Sequence, residues 1–164
     1  MGKTEKNLQA AFAGESQANR KYLAYAKKAE ADGYVGIAKL FRAAAAAETV
    51  HAHKHLTVMK GIKSTKENLE DAIAGETHEF MNMYPQMIAE AEQEKNKQAT
   101  ITFRYANEVE KIHAGLYQKA LEKMDDFPVQ DYYVCRVCGY TIEKEAPEKC
   151  PVCGARKEFF FKVD

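Results

Sequence analysis

Two short patterns in this chain could bind metal. Glu48-Thr-Val-His51 and Glu110-Lys-Ile-His113 each set a carboxylate three residues before an imidazole. On a helix that spacing puts both side chains on one face, so each pattern can offer an oxygen and a nitrogen to a common point. Glu15, in Phe12-Ala-Gly-Glu15-Ser, and Glu76, directly after Ala74-Gly75, are further carboxylates set among small or apolar residues. Glu79 follows Glu76 by three positions and adds a surplus carboxylate on the same face. Two helices carrying Glu-x-x-His and two carrying a lone Glu supply the donor set of a two-metal carboxylate cage in a helical bundle. Oxygen donors with imidazole suit iron or manganese, whereas zinc sites normally hold fewer carboxylates and more nitrogen or sulfur. Without cations, each glutamate buried in such a core would cost several kcal/mol, so the cage requires metal.

The ordinary reading of an isolated Glu-x-x-His is a solvated helix face. Its recurrence on a second helix, with glutamates on two others, is what carries the metal reading. His53, His55 and His78 lack that support and read as surface or rim residues, with His55 on the face of His51, and Glu108 points away from Glu110. Tyr22, two turns after Glu15, and Tyr84, five residues after Glu79, are candidates to hydrogen-bond a ligand carboxylate. Their alternative role is ordinary core packing.

The four cysteines form a second candidate site. They stand as Cys135-x-x-Cys138-Gly and Cys150-x-x-Cys153-Gly, separated by eleven residues. Disulfides rarely persist in a reducing cytoplasm, and a disulfide framework would leave the first 134 residues without a staple. The pairs therefore read as thiolate ligands, with a glycine after each second cysteine to make the turn that aims backbone N–H groups at sulfur. Four thiolates fit either zinc or a single iron, and ligand count does not separate them. An iron held this way has a saturated coordination shell and can only pass electrons.

The elements needed to position these groups are legible in the composition. From Thr4 to Met124 the helix formers Ala, Glu, Lys, Gln, Met and Leu dominate, and Pro85 is the only proline. Four helices are expected: Thr4–Ala31, stopped by Asp32-Gly33; Gly36–Lys60, closed by a left-handed Gly61; one opening on the Ser64-Thr-Lys-Glu67 capping box and running to Lys95; and Lys97–Met124. Pro85 removes a backbone donor and either kinks or splits the third helix. Beyond Phe127-Pro128 the chain turns aromatic and strand-like at Tyr132–Val134 and Phe159–Phe161. So short a segment cannot bury enough apolar surface to fold unaided, and metal must supply the missing stability. The expected domains are residues 1–127, a four-helix bundle, and 132–164, a four-cysteine knuckle, joined by a linker at 128–131.

With 24 basic and 24 acidic residues the summed field is near neutral, which gives no electrostatic reason to expect nucleic acid or an anionic membrane as partner. The charged N-terminus lacks a signal peptide's apolar core and no stretch is long enough to span a bilayer, so a cytoplasmic location is expected.

Taken in order, these motifs resemble the rubrerythrin family over essentially the whole chain. The resemblance rests on Phe12-Ala-Gly-Glu15-Ser with Tyr22, Glu48-x-x-His51, Gly75-Glu76-x-x-Glu79 with Met83-Tyr84-Pro85, Glu110-x-x-His113 and the repeated Cys-x-x-Cys. It implies a mostly α protein, with a ferritin-like four-helix bundle followed by a small rubredoxin-like domain. It implies a non-haem di-iron site liganded by Glu15, Glu48, His51, Glu76, Glu79, Glu110 and His113, with Glu48 and Glu110 as bridges, and a mononuclear iron held by Cys135, Cys138, Cys150 and Cys153. The implied activity is reduction of hydrogen peroxide to water, with His51 and Glu79 exchanging as ligands on oxidation and Tyr22 and Tyr84 nearby. Electrons would come from a rubredoxin or an NAD(P)H-dependent reductase, since no G-x-G-x-x-G is present. Homodimers or larger assemblies are expected. The competing functions are iron storage with ferroxidase activity, a colourless zinc-ribbon adaptor, and reduction of oxygen in place of peroxide.

Overall fold

The structure, a computed structural model, describes residues 2–163, so the outermost positions of the two expected domains, 1 and 164, lie outside the described residues. By its contacts the chain divides into two compact units, up to Lys63 and from Ser64 onward.

The first unit is a pair of helices, α1 (Lys3–Ala31) and α2 (Val35–Val58). Its buried apolar residues are all alanines: Ala26, Ala29, Ala38, Ala45 and Ala52. Small side chains let two helix backbones approach closely, and within the run from Ala43 to Ala47 it is Ala45 that is buried. Asn19, itself buried, ties the pair together by donating from Nδ2 to the Ala45 carbonyl oxygen at 2.7 Å and to Thr49 Oγ1 at 2.8 Å. The turn at Asp32-Gly33 is as expected, with Gly33 at φ 86°. At the end of α2, however, the left-handed residue is Lys60 (φ 56°), not Gly61. Lys60 N–H bonds the Thr57 carbonyl and Gly61 N–H bonds that of Leu56, both at 2.9 Å, so the reversal falls on the first residue past the cap. A Cβ one step later, at Gly61, would lie 2.3 Å from Leu56 Cδ1, so a larger residue there would displace that side chain.

The second unit begins at the Ser64–Glu67 capping box, which is fully formed. α3 (Thr65–His78) runs without a break through a π-helical segment, Glu79–Met83, into α4 (Tyr84–Gln93). Pro85 sits in the first turn of α4, so the wide turn ahead of it, in which Tyr84 N–H bonds the Glu79 carbonyl, absorbs the missing donor without splitting the helix. α5 (Lys97–Glu122) starts at Asn96, whose side chain caps Ala99 N–H at 3.1 Å, and stops two residues before the expected Met124, where a short 3-10 turn, Met124–Asp126, begins.

The C-terminal segment forms a three-stranded antiparallel sheet of order β2-β1-β3, with β1 (Tyr132–Cys135), β2 (Thr141–Glu143) and β3 (Phe160–Val163). It packs on α5. A Cβ added to Gly139 would lie 3.8 Å from Cγ1 of the fully buried Val109. Glu143 takes the Lys119 ammonium and, at 2.5 Å, the Gln130 amide. The Lys119 hydrogen bond, opposed by burial and aided by Gln130, holds the Glu143 carboxyl below the usual glutamate range. A lowered carboxyl contributes stability above the ordinary value of about 4.3 and loses it as pH falls through the folded value. Glu143→Gln should therefore speed amide exchange in β2 at pH 7, with the difference from the unsubstituted protein lost once the pH has fallen far enough to protonate Glu143 in the folded protein. A difference that persists there would place the effect in packing instead. Among the described residues, no helix is long and apolar enough to cross a membrane.

Candidate functional site

Three groups of ligand-type side chains converge among the described residues, two of carboxylate and imidazole and one of thiols. In the first unit, α1 contributes Glu15 and α2 contributes Glu48 and His51. His51 Nδ1 lies 2.8 Å from Glu48 Oε2 and 3.9 Å from Glu15 Oε1. In the second unit, α3 contributes Glu76 and α5 contributes Glu110 and His113. His113 Nδ1 lies 2.8 Å from Glu110 Oε2 and 3.8 Å from Glu76 Oε1. The two triads are thus copies of one geometry, as the sequence echo suggests. They differ in exposure: the His51 side chain is 55% exposed and that of His113 is 27%.

Each triad fits a metal ion. Two ligand atoms about 2.1 Å from one ion are about 3 Å apart at a right angle and about 3.8 Å apart at a wider angle of about 130°, which spans the shorter and the longer N···O separation of each triad. In the second triad the price of that convergence is visible. Burial first, then the Glu110 carboxylate, push the Glu76 carboxyl above its usual range, and His113 only partly offsets them. Like charges gathered under partial burial are the arrangement that a cation relieves.

Glu79 is not among the side chains that converge in these groups. It stands at the first residue of the π segment, and its carboxylate acts on Tyr84. In an ordinary helix, positions 79 and 84 would point about 140° apart; the wider π turn brings them toward one face. Burial, then Glu79, Glu110 and Glu76, raise the Tyr84 phenol above its usual value. Tyr117, which the sequence analysis did not single out, is raised by burial, Glu76 and Glu110. Its signal was available, since it lies one turn after His113 on α5. Tyr22 is placed differently: its described contacts are with the rings of Tyr25 and Phe41, at 6.3 and 6.2 Å between centroids. His53 and His78 are exposed and His55 is half-buried.

The four sulfurs of Cys135, Cys138, Cys150 and Cys153 converge, with none of them in a disulfide among the described residues. Cys135 and Cys153 sulfurs are 3.7 Å apart and those of Cys138 and Cys150 are 3.6 Å apart. A tetrahedron of thiolates at about 2.3 Å from a metal has edges of about 3.8 Å, so the cage is already of metal-binding size. Gly139 and Gly154 adopt φ 86° and 78°, the turns expected after each second cysteine. Burial pushes the Cys138 thiol far up. At Cys150 burial is outweighed by the backbone N–H groups of Cys153 and Val152, which leave that thiol lowered. Thiols packed this closely are held as thiolates only by a cation.

Comparison with known proteins covers both parts of the chain. The family model described as rubrerythrin matches residues 6–121, and that described as rubrerythrin, rubredoxin-like domain, matches residues 133–161. Rubrerythrin-2 of Clostridium acetobutylicum is 38% identical, covering 93% of this chain and 92% of the relative. Nigerythrin of Nitratidesulfovibrio vulgaris is 36% identical, covering 98% and 86%. A solved structure of fully reduced, all-ferrous nigerythrin matches with a TM-score of 0.59 at 36% identity, covering 99% of this chain and 88% of that one.

Proposed function

Because this chain belongs to the rubrerythrin family, with its ferritin-like and rubredoxin-like folds and its di-iron and mononuclear iron cofactors, we propose that it is a peroxide reductase that takes hydrogen peroxide to water. The observation that carries the reading is the presence in one chain of two matching carboxylate–imidazole triads and a four-thiolate cage. A reduced di-iron pair supplies the two electrons that, with two protons, turn one peroxide into two waters, and the mononuclear iron returns electrons singly.

The residues divide that work. Glu15, Glu48 and His51 hold one iron, and Glu76, Glu110 and His113 the other. Glu79 serves as the carboxylate that exchanges with His51 on oxidation. Tyr84, its phenol raised by burial and by three carboxylates, keeps its proton at neutral pH and can donate a hydrogen bond beside them; Tyr22 packs within its own aromatic group. The functional domains are residues 1–127 and 132–164, with 128–131 as linker. The electron donor is a rubredoxin or an NAD(P)H-dependent reductase, and the working form is a cytoplasmic homodimer or larger assembly.

Metal content and visible absorption of anaerobically purified protein, followed by one equivalent of hydrogen peroxide, test this directly. About three irons per chain and rapid oxidation of the reduced protein are expected from the two cofactors together. Zinc at the cysteines with no iron elsewhere, in protein expressed with ample iron, would replace the reading with a structural one. Iron that oxidises with oxygen and ignores peroxide would change the substrate.

A further inference from the structure

A cavity of about 540 Å³ lies wholly within the second unit. One wall is α5, from His113 through Tyr117 and Ala120 to Met124 just past the helix end, and Leu69 of α3 and Val134 of β1 help to complete it. Sites for small organic molecules run from about 300 to 1,000 Å³, with apolar walls and a few polar groups that fix orientation. This cavity has that make-up: among the described residues no Lys, Arg, Asp or Glu lines it, and its lining includes His113 of the second triad. Tyr117 belongs to both surroundings, since it lines the cavity while the Glu76 and Glu110 carboxylates act on its phenol. Where α5 carries His113 and Tyr117, an apolar cavity therefore meets the triad.

The lining selects the occupant. A phosphate-bearing nucleotide or a charged peptide would set its charges among walls that offer them no partner. Hydrogen peroxide is small and polar and gains nothing from apolar walls. A neutral molecule with an apolar body and one polar end fits, and the kind on which a peroxide-reducing centre can act is an organic hydroperoxide. We propose that the cavity holds the organic part of such a hydroperoxide, with its O–O group presented to the triad beside His113 and Tyr117. The inference rests on the peroxide-reductase reading and widens its substrate class. In the reaction the O–O bond breaks, the reduced di-iron pair gives up two electrons, and two protons from solvent complete one alcohol and one water. The organic body supplies binding energy that hydrogen peroxide lacks, through the burial of apolar surface.

The test has a binding half and a reaction half. In the first, cumyl alcohol, the unreactive product of cumene hydroperoxide, is titrated into the full chain with zinc at the cysteines and the triads free of metal. Methyl NMR signals of Leu69, Leu116 and Val134 should shift, while those of Val50 and Val58 in the other unit stay in place. Ala120→Phe fills the cavity from α5, and Leu69→Phe fills it from α3. In the second half, the iron-loaded protein, reduced anaerobically, should convert one equivalent of cumene hydroperoxide to cumyl alcohol. Each variant should weaken alcohol binding and slow cumene hydroperoxide reduction by at least about 10-fold, the scale of a misfit in an apolar pocket, with the hydrogen peroxide rate kept within about twofold. Absence of methyl shifts at the cavity, or affinity and cumene hydroperoxide rate unchanged in both variants, overturns the proposal. Hydrogen peroxide consumed and cumene hydroperoxide untouched overturns it alone. If neither peroxide is consumed, the peroxide-reductase reading falls and takes this substrate with it, and the alcohol titration, made without iron, keeps the two failures apart.

Discussion

Replacing Cys135 and Cys150 together by alanine is expected to unfold the knuckle and stop steady peroxide turnover, while a previously reduced protein still consumes one equivalent of peroxide. These are the two cysteines at full burial, 2% and 3% exposed, and Ala146 is the only other apolar side chain of the segment in the buried class. The larger side chains there, such as Val134, Tyr140, Ile142 and Phe160, are only half-buried and do not close a core of their own. Structural metal sites of this kind contribute on the order of 10–16 kcal/mol to folding, far more than three short strands can replace. Amide exchange in β1 and β3 should rise to unprotected rates, whereas that of α1 and α2, which belong to the other compact unit, should hold. Steady turnover with a reductase should drop by at least about 100-fold, the equivalent of about 2.7 kcal/mol of barrier. Turnover above a tenth of the original would remove the knuckle from the electron path and leave it a structural part.

The ligand sets were legible before any coordinates because their geometry is local. A carboxylate three residues before an imidazole on a helix has little freedom, and both pairs close to the same 2.8 Å. The cysteine pairs are equally local, since each Cys-x-x-Cys-Gly makes its own turn. What composition and spacing did not reveal depends on register or on distant contacts. The π segment changes the helical count between Glu79 and Tyr84, which is why residue spacing alone does not reveal that the two act on each other. Pro85 signalled a disturbance but not its kind, because the missing donor can be accommodated by a kink, a break or a wide turn. Asn19 carries no local mark of its hydrogen bond to Ala45, 26 residues on, nor does Thr141 of its bond to His113, 28 residues back. β2, three residues long with one apolar side chain, has too weak a pattern to read without its partner β1.

Glu110→Gln is expected to move the loaded and metal-free proteins in opposite directions. With metal, the substitution removes an anionic oxygen 2.8 Å from His113 Nδ1 and leaves Glu76 and His113 as the triad's remaining donors. Iron at that triad should be lost under conditions that keep the four-thiolate iron, and single-turnover oxidation by peroxide should be lost with it. Without metal, Glu110 is the group that pushes Glu76 upward, second to burial. A raised carboxyl destabilises the fold above its folded pKa, and the penalty disappears as pH falls through that value. The metal-free variant should therefore melt higher than the metal-free parent at pH 7, by about 2–4 °C for each kcal/mol of repulsion relieved, and the gain should shrink on acidification. Paired melting curves with and without iron, at pH 7 and pH 4.5, check both signs. A lower melting temperature in the metal-free variant would mean that Glu110 holds the helices together directly, and iron retained at the triad would strike it from the ligand set. Opposite shifts are the mark of a carboxylate kept for its metal at the expense of the empty fold.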